Sequence, residues 1–276
     1  MNRLVGARLL TVITVGLLPL RVPVPAAAVQ SAPLPVEVSG AAYAEFDARA
    51  GVWILRGAPV VITRGATRLE AAQIRYAERS GIALASGRVV VRHETITLRA
   101  AEAEGRLREQ YVLARGEVAL MEQRPEGEAR LTAGRLEAFL RERRVSARDG
   151  PVLTHRDGTL RGSSLTYEWE TQTAVAGAAE VTLPEGRMSA ERITAAFAAE
   201  SLEAVGMVRL SSQDLTATAP RARIDRRTGI AHLSGGVLVR RGPDTLSAET
   251  VTADLRTRRV VATGAARLVI GASGGH

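Results

Sequence analysis

A short alternating motif with a central glycine recurs along this chain at a nearly fixed spacing. One copy, Val112 to Leu120, has an apolar residue at every second position on each side of Gly116. That alternation is typical of a β-strand that buries one face. The central glycines of the eight copies are Gly57, Gly87, Gly116, Gly150, Gly177, Gly206, Gly235 and Gly264, and successive ones are 30, 29, 34, 27, 29, 29 and 29 residues apart. The spacing predicts a repeat protein in which each unit stacks on the next.

A second motif lies between the glycine copies. It reads Leu-Glu-Ala-Ala-Gln-Ile-Arg-Tyr over residues 69–76, and it returns from Met188 and from Leu246. Its apolar positions are two apart and then three apart, as from Ala71 to Ile74. An odd step moves the buried side to the opposite face unless the strand bulges or bends. Each repeat therefore holds a long glycine strand and a bent return strand, so we expect an all-β, antiparallel, elongated fold of about eight two-strand repeats, or about sixteen strands.

The composition limits what can fill the interior. Aromatic residues make up only 3% of the chain, whereas apolar residues make up 46%, so Ala, Val and Leu must supply the core. Such small side chains allow sheets to approach closely, or leave a groove between them unfilled. There is no cysteine, so stacked sheet must supply the stability instead of disulfides. All 37 basic residues are arginine, which is consistent either with a solvated surface or with attraction to phosphate groups.

The first 28 residues have the order of a secretory signal. Arg3 and Arg8 flank the start of an apolar run, Leu9 to Leu20, and three alanines end at Ala28. Charged, apolar and small-residue segments in that order predict export, with cleavage after Ala28; the alternative is an uncleaved membrane anchor. The predicted organisation is a signal peptide over residues 1–28, a repeat domain over 29–270 and a flexible tail over 271–276.

One segment has an alternative interpretation. The widest glycine spacing includes Leu136 to Arg144, which mixes Leu, Glu, Ala, Phe and Arg and could form a short helix. The segment occupies the same position within its repeat as the return strands elsewhere, which favours a strand.

Motifs for catalysis, metal binding and nucleic-acid binding are absent from the sequence. The four histidines are His93, His155, His232 and His276, and no two of them have zinc-ligand spacing. We expect them at the surface or in turns. The sequence has no Gly-x-Ser-x-Gly elbow and no phosphate loop, and its few aromatics form no stacking platform for bases. The chain is therefore predicted not to be an enzyme, to have no cofactor or metal, and not to bind nucleic acid.

The paired motifs resemble those of a known family. Residues 69–76 with 83–91, and 246–253 with 260–268, resemble the OstA-like family of lipopolysaccharide-transport proteins, which includes LptA, LptC and the N-terminal domain of LptD. The resemblance covers roughly residues 36–270. It implies a folded-over β-jellyroll that is open along one side and has an apolar interior that shields lipid acyl chains. It also implies that the ends of the fold join to neighbouring family members.

The resemblance also implies a function. The expected protein is a periplasmic bridge that binds the lipid A part of lipopolysaccharide, without catalysis, during transport to the outer membrane. The alternatives are a structural β-solenoid scaffold and an exported β-helix enzyme. A scaffold should be packed throughout, whereas a carrier should hold a continuous apolar groove. The inward positions expected to contact lipid are Val89, Val91, Val118, Leu120, Val208, Leu210, Val237 and Val239.

The two ends of the expected stack are open sheet edges. Val36 to Asp47 and Val52 to Thr63 lie at one end, and Val260 to Ile270 lies at the other. Unlike edges give a heterologous contact, which builds open filaments instead of closed dimers. We therefore expect head-to-tail association with another copy, or with LptC-like and LptD-like partners, through the edge strands.

Overall fold

A computed structural model describes residues 35–125, 127–156, 158–213 and 215–271. Every regular element in these ranges is a β-strand, and all strand pairings are antiparallel. No helix suited to crossing a membrane occurs among the described residues. The strands are β1 (Glu37–Asp47), β2 (Val52–Arg64), β3 (Thr67–Ala77), β4 (Ile82–His93), β5 (Ile96–Arg106), β6 (Tyr111–Arg124), β7 (Gly127–Phe139), β8 (Arg144–Arg148), β9 (Val152–His155), β10 (Gly158–Arg161), β11 (Ser164–Glu168), β12 (Thr173–Leu183), β13 (Gly186–Ala196), β14 (Ser201–Ser212), β15 (Leu215–Asp225), β16 (Ile230–Arg241), β17 (Asp244–Asp254), β18 (Arg259–Thr263) and β19 (Arg267–Val269).

The nineteen strands correspond to the sixteen expected from the repeat. Three expected strands are interrupted near their middle, giving β8 with β9, β10 with β11, and β18 with β19. The all-β antiparallel prediction is confirmed. The segment that could have formed a helix does not, because β7 continues to Phe139 and a turn follows.

Most of the long glycine strands change register near their centre, at the repeat glycine, whereas β12 pairs with β13 without a shift. Gly116 has a φ of 74° and Glu117 a φ of 49°, and the pairing of β5 with β6 shifts at this point. A Cβ built on Gly116 would lie 2.9 Å from the Cβ of Ala101. Ala101 lies inside the three-residue apolar step of the return strand. The odd step therefore lies opposite a bulge in the glycine strand, and the glycine is needed there both for its left-handed backbone and for its missing side chain.

The two ends of the strands carry different turns. Four residues separate a return strand from the next glycine strand, and two residues separate a glycine strand from the next return strand. We call the two rows of turns the long-turn rim and the short-turn rim. In a flat sheet the rims would be about 35 Å apart, since a strand rises about 3.3 Å per residue.

A buried hydrogen bond shows that the sheet is folded over instead. The hydroxyl of Tyr167, which lies near the long-turn rim, donates to Oε2 of Glu122, near the short-turn rim, over 2.6 Å. The sheet therefore bends at its glycine bulges into two walls that face each other, in a jellyroll-like arrangement. The two rims meet along one side of the fold, and we call the seam between them the mouth. The apolar core fills the space between the walls.

The two walls are offset along the stack. Contacts across the mouth join residues about 45 positions apart, such as Arg156 with Glu200, which is one and a half repeats. Each end of the stack consequently presents one wall without its partner. At the N-terminal end every residue of β1 is exposed, and Phe46 is 42% exposed. At the C-terminal end Leu268 is 60% exposed.

The glycine bulge gives the first testable expectation. Gly116→Ala places a Cβ against Ala101 and forces a left-handed backbone on alanine, so we expect a loss of about 1–3 kcal/mol in the free energy of unfolding. Urea unfolding followed by circular dichroism measures it. The control is Gly105→Ala, because Gly105 is outside the left-handed region and its nearest new contact would be 3.8 Å away. Equal losses in the two variants would contradict a special role for the bulge.

Candidate functional site

The eight predicted lipid-contact positions all point into the core. Each lies on β4, β6, β14 or β16, after the bulge, and none is more than 6% exposed. They form two groups with different surroundings. Those on β4 and β6, such as Val118, lie where side chains fill the space between the walls. Those on β14 and β16, such as Leu210, lie towards the C-terminal end, where side chains do not fill that space.

Large side chains fill the middle of the interior. Tyr167 and Trp169 are each 2% exposed, and Leu131 and Leu165 are each 1% exposed. Among the described residues the inner space is therefore not one continuous groove. The packed middle is the feature expected of a scaffold, and the open end is the feature expected of a carrier.

A buried polar pair joins the walls within this packed region. The carboxylate of Glu122 is fully buried, and it accepts hydrogen bonds from the Tyr167 hydroxyl and from Nε of Arg124. Burial, followed by the hydrogen bond to Glu122, raises the pKa of Tyr167 far above its usual range. The phenol therefore stays a donor, and the carboxylate keeps the partners that its burial requires.

Two histidines contradict the surface prediction. His93 and His155 are each only 8% exposed. The ring of His155 lies 4.7 Å from that of Phe197, measured between centroids, and Nδ1 of His93 is 2.9 Å from Oγ1 of Thr67. Burial lowers the pKa of His93. Both histidines follow the apolar alternation of their strands, β4 and β9, so that periodicity could have indicated their burial. No cluster of metal-ligating side chains occurs in the described part of the chain.

A cavity of about 620 Å³ lies between the walls at the C-terminal end. Its apolar lining includes Leu210 and Val239, which were predicted, and Leu233, Leu246 and Leu268, which were not. The sequence shows which side of a strand points inward. It does not show where the opposite wall ends, and the end of that wall decides which inward residues stay uncovered.

The mouth beside the core is bridged at three places. Each bridge joins the last residue of a long turn to the first residue of a short turn, and the three pairs are Arg143 with Glu94 at 3.3 Å, Glu200 with Arg156 at 3.1 Å, and Arg258 with Gln213 at 2.7 Å. The first two are ion pairs. The third, beside the cavity, has a neutral acceptor.

Comparison with known proteins identifies a family for most of the chain. Residues 68–259 match the family described as LptA/(LptD N-terminal domain) LPS transport protein. One similar solved structure is that of LptH, the LptA-homologous periplasmic component of the conserved lipopolysaccharide transport device from Pseudomonas aeruginosa. It is 20% identical over 52% of this chain and 82% of its own, with a TM-score of 0.26, and a score that low has no bearing on the site. No curated protein matches.

The buried pair predicts a measurable cost. Tyr167→Phe leaves the Glu122 carboxylate buried with one partner fewer, so we expect a loss of about 1–3 kcal/mol in the free energy of unfolding. Urea titration of both proteins measures it. Tyr76→Phe is the matched control, because the Tyr76 hydroxyl has no hydrogen bond among the described residues. A loss no larger than that of the control would show that the pair does not hold the walls together.

Proposed function

Because this chain belongs to the family of LptA and the LptD N-terminal domain, we propose that it shelters the acyl chains of lipopolysaccharide in the periplasm. The family is one of transport proteins, in agreement with the prediction that the chain is not an enzyme. The observation that carries the proposal is the C-terminal cavity, which has a mainly apolar lining, polar residues near its edges and an open end.

The size and lining of the cavity suit hydrocarbon. About 620 Å³ falls within the roughly 300–1,000 Å³ common for small-molecule sites. Burying one methylene contributes about 0.8 kcal/mol, so a chain of about a dozen carbons gains on the order of 10 kcal/mol before the cost of ordering it. Leu210 and Val239 line this space, and the other predicted contact residues lie deeper along the same wall. Lipid that moved beyond the cavity would require the walls to part.

The uncovered walls support an assembly through the ends. We call the wall that ends at the long-turn rim the long-turn wall, and the other the short-turn wall. Phe46 packs against Trp53 on the inner face of the long-turn wall, with ring centroids 4.6 Å apart. Leu268 lies on the inner face of the short-turn wall at the opposite end. Each end lacks the wall that the other end offers. One copy can therefore cover another head to tail, and an LptC-like or LptD-like protein of the same fold can do the same.

Export by the N-terminal segment would place the protein in the periplasm. That segment, residues 1–28, lies outside the described residues, and so do residues 272–276 of the predicted tail over 271–276, so the signal and the tail remain sequence predictions. The scaffold alternative keeps the support of the packed middle. It gives no role to the apolar cavity, which is why we favour the carrier.

Photo-crosslinking distinguishes the cavity from the outer surface. Benzoylphenylalanine at Leu246, which lines the cavity, should capture lipopolysaccharide in cells. Benzoylphenylalanine at Arg240, an exposed position on the neighbouring strand, should capture little lipopolysaccharide. Immunoblots against lipopolysaccharide read the result. Equal capture at the two positions would contradict lipid binding in the cavity.

A charge on the exposed inner face should weaken assembly. Phe46→Glu puts a carboxylate on the surface that a second copy would cover, so we expect at least a tenfold higher concentration for association, measured by light scattering. The control is Tyr43→Glu on the opposite face of β1, where Tyr43 lies beside Arg56. If the wild type stays monomeric at high concentration and binds no family partner, the ends have no assembly role.

A further inference from the structure

The bridges across the mouth repeat with the fold. Their long-turn members are Arg143, Glu200 and Arg258, which are 57 and 58 residues apart, or two repeats. All three have left-handed backbones, with φ values of 49°, 49° and 59°. The left-handed residue ends its turn, and its side chain reaches over the mouth in each case. The three bridges thus occupy equivalent positions of one repeating geometry.

The third bridge differs from the other two in charge. Arg143 faces the carboxylates of Glu94 and Glu170. Arg258 instead donates to the amide oxygen of Gln213. Because the amide carries no charge, this bridge lacks the charge pairing of the other two, and an anion in place of the amide would supply it. It is also the bridge that lies beside an open interior, since Arg258 and Gln213 both line the cavity.

Acidic residues near the cavity are partly occupied by backbone groups. Oδ1 of Asp254 accepts hydrogen bonds from the backbone N–H groups of Arg256 and Thr257, each over 2.9 Å. Oδ1 of Asp244 accepts one from the N–H of Gly271 over 3.1 Å. Glu185, the remaining acid in the lining, lies on the opposite rim from Arg258. No ion pair joins any of these carboxylates to Arg258 in the described structure.

We propose that the Gln213–Arg258 contact is a side entrance to the cavity, and that Arg258 exchanges the Gln213 amide for the phosphate of an amphiphile whose chains lie inside. This inference rests on the proposed function and adds to it a headgroup ligand and a point of entry. A guanidinium suits phosphate because its planar N–H donors can bind two oxygens at once. The apolar lining accepts the chains, so one ligand satisfies both parts of the site.

Calorimetric titration of the purified protein tests the proposal with three probes. They are dihexanoyl phosphatidic acid, dihexanoylglycerol, which has the chains without the phosphate, and inorganic phosphate alone. We expect Arg258→Gln to weaken the binding of phosphatidic acid about tenfold and to leave dihexanoylglycerol unchanged. Gln213→Glu, which supplies the carboxylate found at the equivalent Glu94, should weaken phosphatidic acid several-fold by occupying Arg258. Arg143→Gln is the control, because it removes the equivalent arginine from a bridge away from the cavity.

The outcomes separate the entrance from the carrier function. Binding of both lipids with no effect of Arg258→Gln would overturn the entrance and leave the carrier intact. An equal loss in Arg143→Gln would also overturn it, by showing a general effect of charge. Tight, Arg258-dependent binding of inorganic phosphate alone would assign a free-phosphate site instead. A wild type that binds neither lipid would overturn the carrier function together with the entrance.

Discussion

The structure depends on left-handed bulges at the centres of most of its glycine strands. At Gly116 and Glu117 two successive residues have positive φ, and the same combination occurs at Gly87 with Arg88 and at Gly206 with Met207. An isolated bulge only bends a strand. Because these bulges lie one repeat apart, they align into a single fold line that turns a flat meander into two facing walls. The enclosed interior, the mouth and the rims all follow from that line.

The offset of the walls then creates the functional features. Since the walls are displaced by one and a half repeats, the middle of the stack is covered on both sides and packs tightly around Tyr167. The ends are covered on one side only. One physical cause thus leaves apolar surface at both ends: Phe46 at the N-terminal end, and the cavity around Leu246 at the C-terminal end. We therefore propose that lipid carriage and end-to-end association both use this incomplete coverage.

Much of this fold could be predicted because its signal is periodic. The two-residue alternation around Gly116 predicts the strand and its inward residues. The three-residue step at Ala71 to Ile74 predicts a bulge or a bend in the return strand, and the structure has the bulge in the glycine strand opposite that step. The offset between walls could not be predicted, because it depends on contacts between residues 45 apart that leave no local pattern. For the same reason the Glu122–Tyr167 hydrogen bond and the limits of the cavity appear only in three dimensions. The burial of His93 and His155 follows the alternation of their strands and not the usual preference of histidine for the surface.

The central claim is that lipid acyl chains occupy the C-terminal cavity. Mass spectrometry of an organic extract from purified protein tests it most directly, with Ala217→Trp as the companion variant. Ala217 lines the cavity and is 2% exposed, so a tryptophan there fills the space without touching the outer surface. We expect bound lipopolysaccharide in the wild type and much less in the filled variant. No lipid in the wild type, or equal lipid in both, would contradict it.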